Sequence, residues 1–127
     1  MPNQIVECIP NFSEARRSDV VDKILSAIES VDNIRVLDLH SDIDHNRTVV
    51  TIVGPPGAVE EAVFQGVKMA AELIDLETHQ GEHPRIGAAD VVPFVPITGV
   101  TLLDCVEMAR RLGKRVGQAL KLSLIHI

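Results

Sequence analysis

Titratable side chains gather in two short polar stretches, and chemistry would be sought there first. One stretch holds His40, Asp42, Asp44, His45, Asn46 and Arg47. The other holds His79, Glu82, His83 and Arg85. Four of the five histidines fall within them. Imidazole has an ordinary pKa close to neutrality, so this grouping suits proton transfer. A nearby carboxylate can orient the ring or stabilise a cation, and an arginine can hold a substrate carboxylate through paired hydrogen bonds. Polar turns between apolar elements are also common, so at this point the stretches read equally as chemistry and as solvated loops.

Within the second stretch, Gly81-Glu82-His83-Pro84-Arg85 is the most constrained segment. Gly81 permits unusual backbone angles, and Pro84 biases His83 toward an extended conformation. A histidine held this way has fewer poses to lose on reaching a transition state. The rival chemistry is metal binding: His40, Asp42, Asp44 and His45 offer nitrogen and oxygen ligands to a divalent ion. No HExxH or comparable spacing accompanies them. Cys8 lies in an apolar run and reads as core packing. Cys105, near a helix start, reads the same way.

The elements that must position these stretches follow from periodicity. Gln4 to Ile9 reads as a buried strand stopped by Pro10 and Asn11. Val20, Val21, Ile24, Leu25 and Ile28 recur at helical spacing, in a helix predicted to end near Ser30. Ile34–Leu39 and Thr48–Val53 read as two strands of a hairpin around a loop from His40. Gly54-Pro55-Pro56-Gly57 breaks the chain before a long helix marked by Val59, Val63, Val67, Ala70, Leu73 and Ile74. Val91 to Ile97 is apolar, but Pro93 and Pro96 lack amide donors, which predicts an edge strand or irregular backbone. Thr101 and Asp104 predict the capped start of a last helix carrying Val106, Ala109, Leu112, Val116 and Leu120. On that helix Arg110, Arg111, Lys114 and Arg115 read as complementing the C-terminal end of the helix dipole. This order predicts an α+β ferredoxin-like sandwich: a four-stranded antiparallel sheet with helices on one face, plus an extra C-terminal helix.

Composition sets the outer limits. Aromatics are 2% of 127 residues, so the core is expected to be aliphatic. A net charge of −6 argues against nonspecific binding to nucleic acid or anionic membrane. Two cysteines without a CxxC pair, no signal-peptide pattern and no long apolar run together predict a cytoplasmic location.

Three segments together resemble the formiminotransferase family: Val6 to Glu14 (VECIPNFSE), Asp44 to Pro56 (DHNRTVVTIVGPP) and Gly81 to Ile97 (GEHPRIGAADVVPFVPI). The resemblance runs from about Gln4 to Leu120. It implies the N-terminal subdomain of a transferase that moves a formimino group from N-formimino-L-glutamate to tetrahydrofolate in histidine degradation. Tetrahydrofolate would be a co-substrate, with no metal expected. The partner it implies is a second, C-terminal subdomain, with the substrates between the two; a homodimer is left open. The family's catalytic histidine falls on His83, which would take a proton from the folate N5 amine and return one to the departing glutamate nitrogen. In vertebrate bifunctional members an acidic residue stands in the place of His40, so His40 would support His83 differently here.

The other roles are inferred from the residue types. Arg47 and Arg85 are candidates to bind glutamate carboxylates. Asp42 or Glu82 would orient an imidazole or stabilise a cationic formimino group, and Asn11 and Asn46 would supply neutral hydrogen bonds. Residues 1–120 read as the subdomain. Residues 121–127 read as a non-native tail, because Leu122 to Ile127 is also the in-frame translation of a common DNA-library adapter. The 127-residue chain is expected to lack transferase activity alone and to expose an apolar surface.

Overall fold

The computed structural model describes residues 4–12, 18–44, 47–78, 89–90 and 94–120. Its order is β1 (Ile5–Cys8), β2 (Asn11–Phe12), α1 (Ser18–Glu29), β3 (Arg35–Asp42), β4 (Arg47–Gly54), α2 (Pro56–Thr78), β5 (Ala89–Asp90), β6 (Val95–Thr98) and α3 (Leu102–Leu120). The suspected tail, residues 121–127, lies outside the described residues.

β4 organises the sheet. Its β-branched run alternates strictly, with Thr48, Val50, Ile52 and Gly54 buried and the residues between them more open. On one side it pairs antiparallel with β3. On the other it pairs first with β1, through Val6↔Gly54 and Cys8↔Ile52, and then with β2, through Asn11↔Val49 and Phe12↔Thr48. No residue is gained or lost between these two sets of partners. β1 and β2 are therefore one line of chain, and the sheet passes straight through Pro10. The expectation that Pro10 and Asn11 stop the strand is corrected in part: β1 does end at Cys8, but the same register resumes at Asn11. Pro10 keeps its carbonyl in the ladder, accepting a hydrogen bond from the Val50 amide at 3.1 Å, and Asn11 and Phe12 resume the pairing.

β5 and β6 form a second line in the same sense, β5 against β2 and β6 against β1. The six segments thus make four antiparallel lines, in the order β3, β4, β1 with β2, and β5 with β6. This is the ferredoxin-like arrangement, with the proline-bearing line at the edge as expected. Pro96 pairs with Val6 next to the pair Glu7↔Val95. Since Pro96 has no N–H, the Glu7 pair is the one that exchanges hydrogen bonds. Pro96 then turns its missing donor to the free edge, where it blunts further strand addition.

Three helices cover one face. The core joins Val6, Cys8, Phe12, Val50 and Ile52 from the sheet with Ile24 and Ile28 of α1, Val59, Val63 and Val67 of α2, and Cys105, Met108, Leu112 and Val116 of α3. Three of these contacts come from Cys105, Met108 and Leu112, spaced three and four residues apart as one helical face requires. Gly66 lets α1 and α2 approach closely: a Cβ there would lie 2.8 Å from Ile28 Cγ1. α3 starts on a reciprocal cap, with the Asp104 amide donating to Thr101 Oγ1 and the Thr101 amide to Asp104 Oδ2, both at 3.0 Å. That capping holds the Asp104 carboxyl below the usual carboxylate range.

The basic stripe of α3 is corrected in part. Arg111 reaches Glu60 at 3.0 Å and Arg115 reaches Glu61 at 2.6 Å, both on α2. Arg115 also lies over the Phe64 ring, 3.8 Å from its centroid. These two arginines join helix to helix instead of serving only the dipole.

Candidate functional site

Residues directly opposite one another in an antiparallel pair project from the same face. The face of β4 away from the helices carries Arg47, Val49, Thr51 and Val53, and register extends each into a row. Arg47 stands opposite Asp42, and Val49 opposite His40 on one side and Asn11 on the other. Asn11 is in turn opposite position 90 of β5. Thr51 is opposite Asp38. Val53 is opposite Arg35 and Glu7, and Glu7 is opposite Val95. A bulge at Leu37, between Val36 and Asp38, shifts the register of β3 by one residue. It keeps both Arg35 and His40 on this face.

Four of the expected site residues therefore share one helix-free face at one end of the sheet: Asn11, His40, Asp42 and Arg47. Asn11 and Asp42 are half-buried, while His40 and Arg47 are exposed. The rows hold His40 and Asn11 two strand spacings apart, about 10 Å between backbones, so they flank a shallow trough floored by Val49. The expectation that His40 and Asp42 sit in a loop is corrected. β3 and β4 are longer than their apolar cores suggest, and His40, Asp42 and Arg47 are strand residues held by the ladder. On the helix side, Ser41 Oγ meets Thr48 Oγ1 at 3.0 Å, and Thr48 is buried. That contact pins the hairpin end that carries the trough.

Asn46, Glu82, His83 and Arg85, with His45 and His79, lie outside the described residues. The stretch containing His83 is bounded by Thr78, the end of α2, and by Ala89, which pairs with Phe12 beside Asn11. Among the described residues no group of three or more His, Cys, Asp or Glu is arranged to hold a metal ion. Both cysteines face the core. Burial pushes the Cys8 thiol up to about 12 and raises that of Cys105, so neither is a thiolate nucleophile at neutral pH. No described helix is long and apolar enough to cross a membrane.

Reading the sequence missed Glu7, Asp38 and Thr51 as members of this face. The signal for Glu7 was present: a single carboxylate between Val6 and Cys8 in an apolar strand. Strand alternation must turn it away from the core.

The chain is thus an α+β sandwich with helices on one face of its sheet and the other face open. Residues 5–126 match the family described as Formiminotransferase domain, N-terminal subdomain. The chain belongs to this family. It is 53% identical over 116 residues to a glutamate formimidoyltransferase of Thermoplasma acidophilum, covering 91% of this chain and 38% of the relative. It is 47% identical over 117 residues to a glutamate formimidoyltransferase of Streptococcus pyogenes serotype M1, covering 92% of this chain and 39% of the relative. A formimidoyltransferase-cyclodeaminase of Sus scrofa is 44% identical over 118 residues, 22% of its length. The chain thus spans about two-fifths of the two single-activity relatives and less of the bifunctional one.

Proposed function

We propose that this chain supplies one half of a glutamate formimidoyltransferase, moving the formimino group of N-formimino-L-glutamate to N5 of tetrahydrofolate. The carrying observation is the family match over residues 5–126 together with an open sheet face bearing Asn11, His40, Asp42 and Arg47. In this reading N5 attacks the formimino carbon and His83 accepts the N5 proton. The tetrahedral adduct then collapses as His83 returns a proton to the glutamate nitrogen, which leaves with its bonding pair. Arg47 and Arg85 hold glutamate carboxylates, and Asp42 or Glu82 faces the cationic formimino group. Asn11 and Asn46 donate and accept neutral hydrogen bonds at the rim, and His40 orients the His83 ring.

The open rows also support the reading that a second half covers this face. Val49, Thr51 and Val53 are half-buried, and Val95 is exposed. A covering subdomain would exclude water from them and close the substrates into the trough. Such a protein would act in histidine breakdown in the cytoplasm, and the 127-residue chain alone would turn over negligibly. The test assays the complete protein with N-formimino-L-glutamate and tetrahydrofolate. Activity that falls at least about a hundredfold in His83→Ala, with unchanged unfolding temperature, supports the assignment. An unimpaired His83→Ala variant, or full activity from the 127-residue chain, overturns it.

A further inference from the structure

Glu7 has no part in the mechanism above, yet it stands on the open face, in the row of Val53 at the end of the sheet away from Asn11 and His40. Val6 and Cys8 on either side of it are fully buried against the helices. Glu7 is half-buried on the opposite face, between Val53 of β4 and Val95 of β6. Among the described residues its carboxylate makes no hydrogen bond or ion pair. Arg35 is the cation of the same row but lies beyond Val53, two strand spacings or about 10 Å away between backbones. A surface closing over these rows would take this carboxylate out of water, which is unfavourable unless donors meet it.

The neighbours narrow the choice of donors. Val53 and Val95 give a flat apolar bed on either side of the carboxylate, suited to a planar ring. Two parallel N–H donors on one edge of that ring would satisfy both carboxylate oxygens at once. The aminopyrimidinone edge of a reduced pterin carries such a pair, the 2-amino group and N3–H. We infer that Glu7 anchors the pterin of tetrahydrofolate through this edge, an assignment that rests on the transferase reading above. Glu7 stands four residues from Asn11 along an unbroken register, about 13 Å. A pterin seated on Glu7 can therefore direct its opposite ring, which carries N5, toward the row of Asn11 and His40. Glu7 is a binding and positioning residue in this scheme and takes no proton.

The test uses the complete protein, with Glu7→Gln, which keeps the shape and removes the charge, and Glu7→Asp, which keeps the charge. Steady-state kinetics are measured with tetrahydrofolate and with its 2-desamino analogue. Glu7→Gln is expected to raise KM for tetrahydrofolate about tenfold to a hundredfold, as loss of charge-assisted hydrogen bonds would. The KM for N-formimino-L-glutamate should stay within about twofold. The analogue keeps N3–H, so Glu7→Gln should weaken it too, but by clearly less than it weakens tetrahydrofolate, because one of the two hydrogen bonds is already absent. Glu7→Asp should recover part of the discrimination between the two folates, and it carries the test alone if Glu7→Gln does not fold. The inference is overturned if Glu7→Gln leaves the folate KM unchanged, if its penalty adds fully to that of the analogue, or if the donor KM rises instead. The last result would indicate a carboxylate paired with a basic group of the covering half or with the donor substrate. A folded wild-type protein with no turnover would remove the transferase reading and this assignment with it, whereas an active wild type with an indifferent Glu7 removes only the assignment.

Discussion

Alanine at Gly54, Gly66 and Gly57 asks how tightly the sheet is held to its helices. At Gly54, the end of β4, a Cβ would lie 2.7 Å from the Asn33 carbonyl oxygen, 3.2 Å from Ile34 Cδ1 and 3.5 Å from Val59 Cγ2. The first contact is backbone, in a turn where Asn33 already has φ of 71°. That turn cannot swing aside without disturbing a residue in the left-handed region. Overpacking of this kind costs about 1–3 kcal/mol, while restricting the unfolded chain returns about 0.4–1 kcal/mol. Gly54→Ala should therefore be destabilised by about 1–2 kcal/mol. Gly66→Ala meets side-chain atoms, Ile28 Cγ1 at 2.8 Å, Ile28 Cδ1 at 3.0 Å and Phe12 Cζ at 3.3 Å. Its gain in helix propensity of about 1 kcal/mol offsets much of the crowding. Gly57, in the first turn of α2, meets nothing within 4 Å, so alanine there should stabilise by about 0.5 kcal/mol. Urea unfolding followed by circular dichroism gives the three midpoints. The expected order, from most to least stable, is Gly57→Ala, wild type, Gly66→Ala, Gly54→Ala. A Gly54→Ala midpoint equal to or above wild type would refute the claim that the Asn33 turn is rigidly seated against β4.

Two further outcomes follow from the helix layer and the core. The Arg115 guanidinium, then the Gln65 amide, hold the Glu61 carboxyl below the ordinary carboxylate range. A depressed carboxyl stabilises the fold above its unfolded pKa, and the benefit is lost as pH falls through its folded value. Arg115→Met should therefore cost less than about 1 kcal/mol at neutral pH, since both groups are partly exposed. The difference from wild type should shrink in strong acid, and a difference that grows there would contradict the pairing. Cys8 and Cys105, both buried with raised thiol pKa values, should resist alkylation in the native protein at pH near 8 and react once unfolded. Mass spectrometry of iodoacetamide-treated protein would show this, and native labelling at the rate of a free thiol would overturn the packing of both residues.

The helices were legible in the sequence because their apolar spacing has one interpretation. Val21, Ile24 and Ile28, or Cys105, Met108 and Leu112, share a side on a helix but not on a strand, because each set contains a step of three. The sheet was legible in order but not in extent. Polar residues at strand ends look like loop, so His40, Asp42 and Arg47 were assigned to a turn although the ladder holds them. Pro10 looked like a terminator because proline removes a donor. Whether a strand survives that loss depends on its partner, and here the Val50 amide still finds the Pro10 carbonyl. The same limit hid Glu7. Composition marks it as polar, but only register shows which neighbours flank it.

The bulge at Leu37 has a consequence for how this chain tolerates change. A strand with one face in the core and one face open is read in steps of two, much as a gene is read in steps of three. Losing a single residue from β4 would act as a frameshift, sending Val49 and Val53 inward and Val50 and Ile52 into the trough. Losing two would restore the frame. In β3 the odd residue at Leu37 already resets the frame between Arg35 and His40. Length variation in this sheet should therefore be accepted in pairs, or at Leu37, while substitution of the open rows leaves the core untouched. Such a layout lets the chemistry drift while the fold stays fixed.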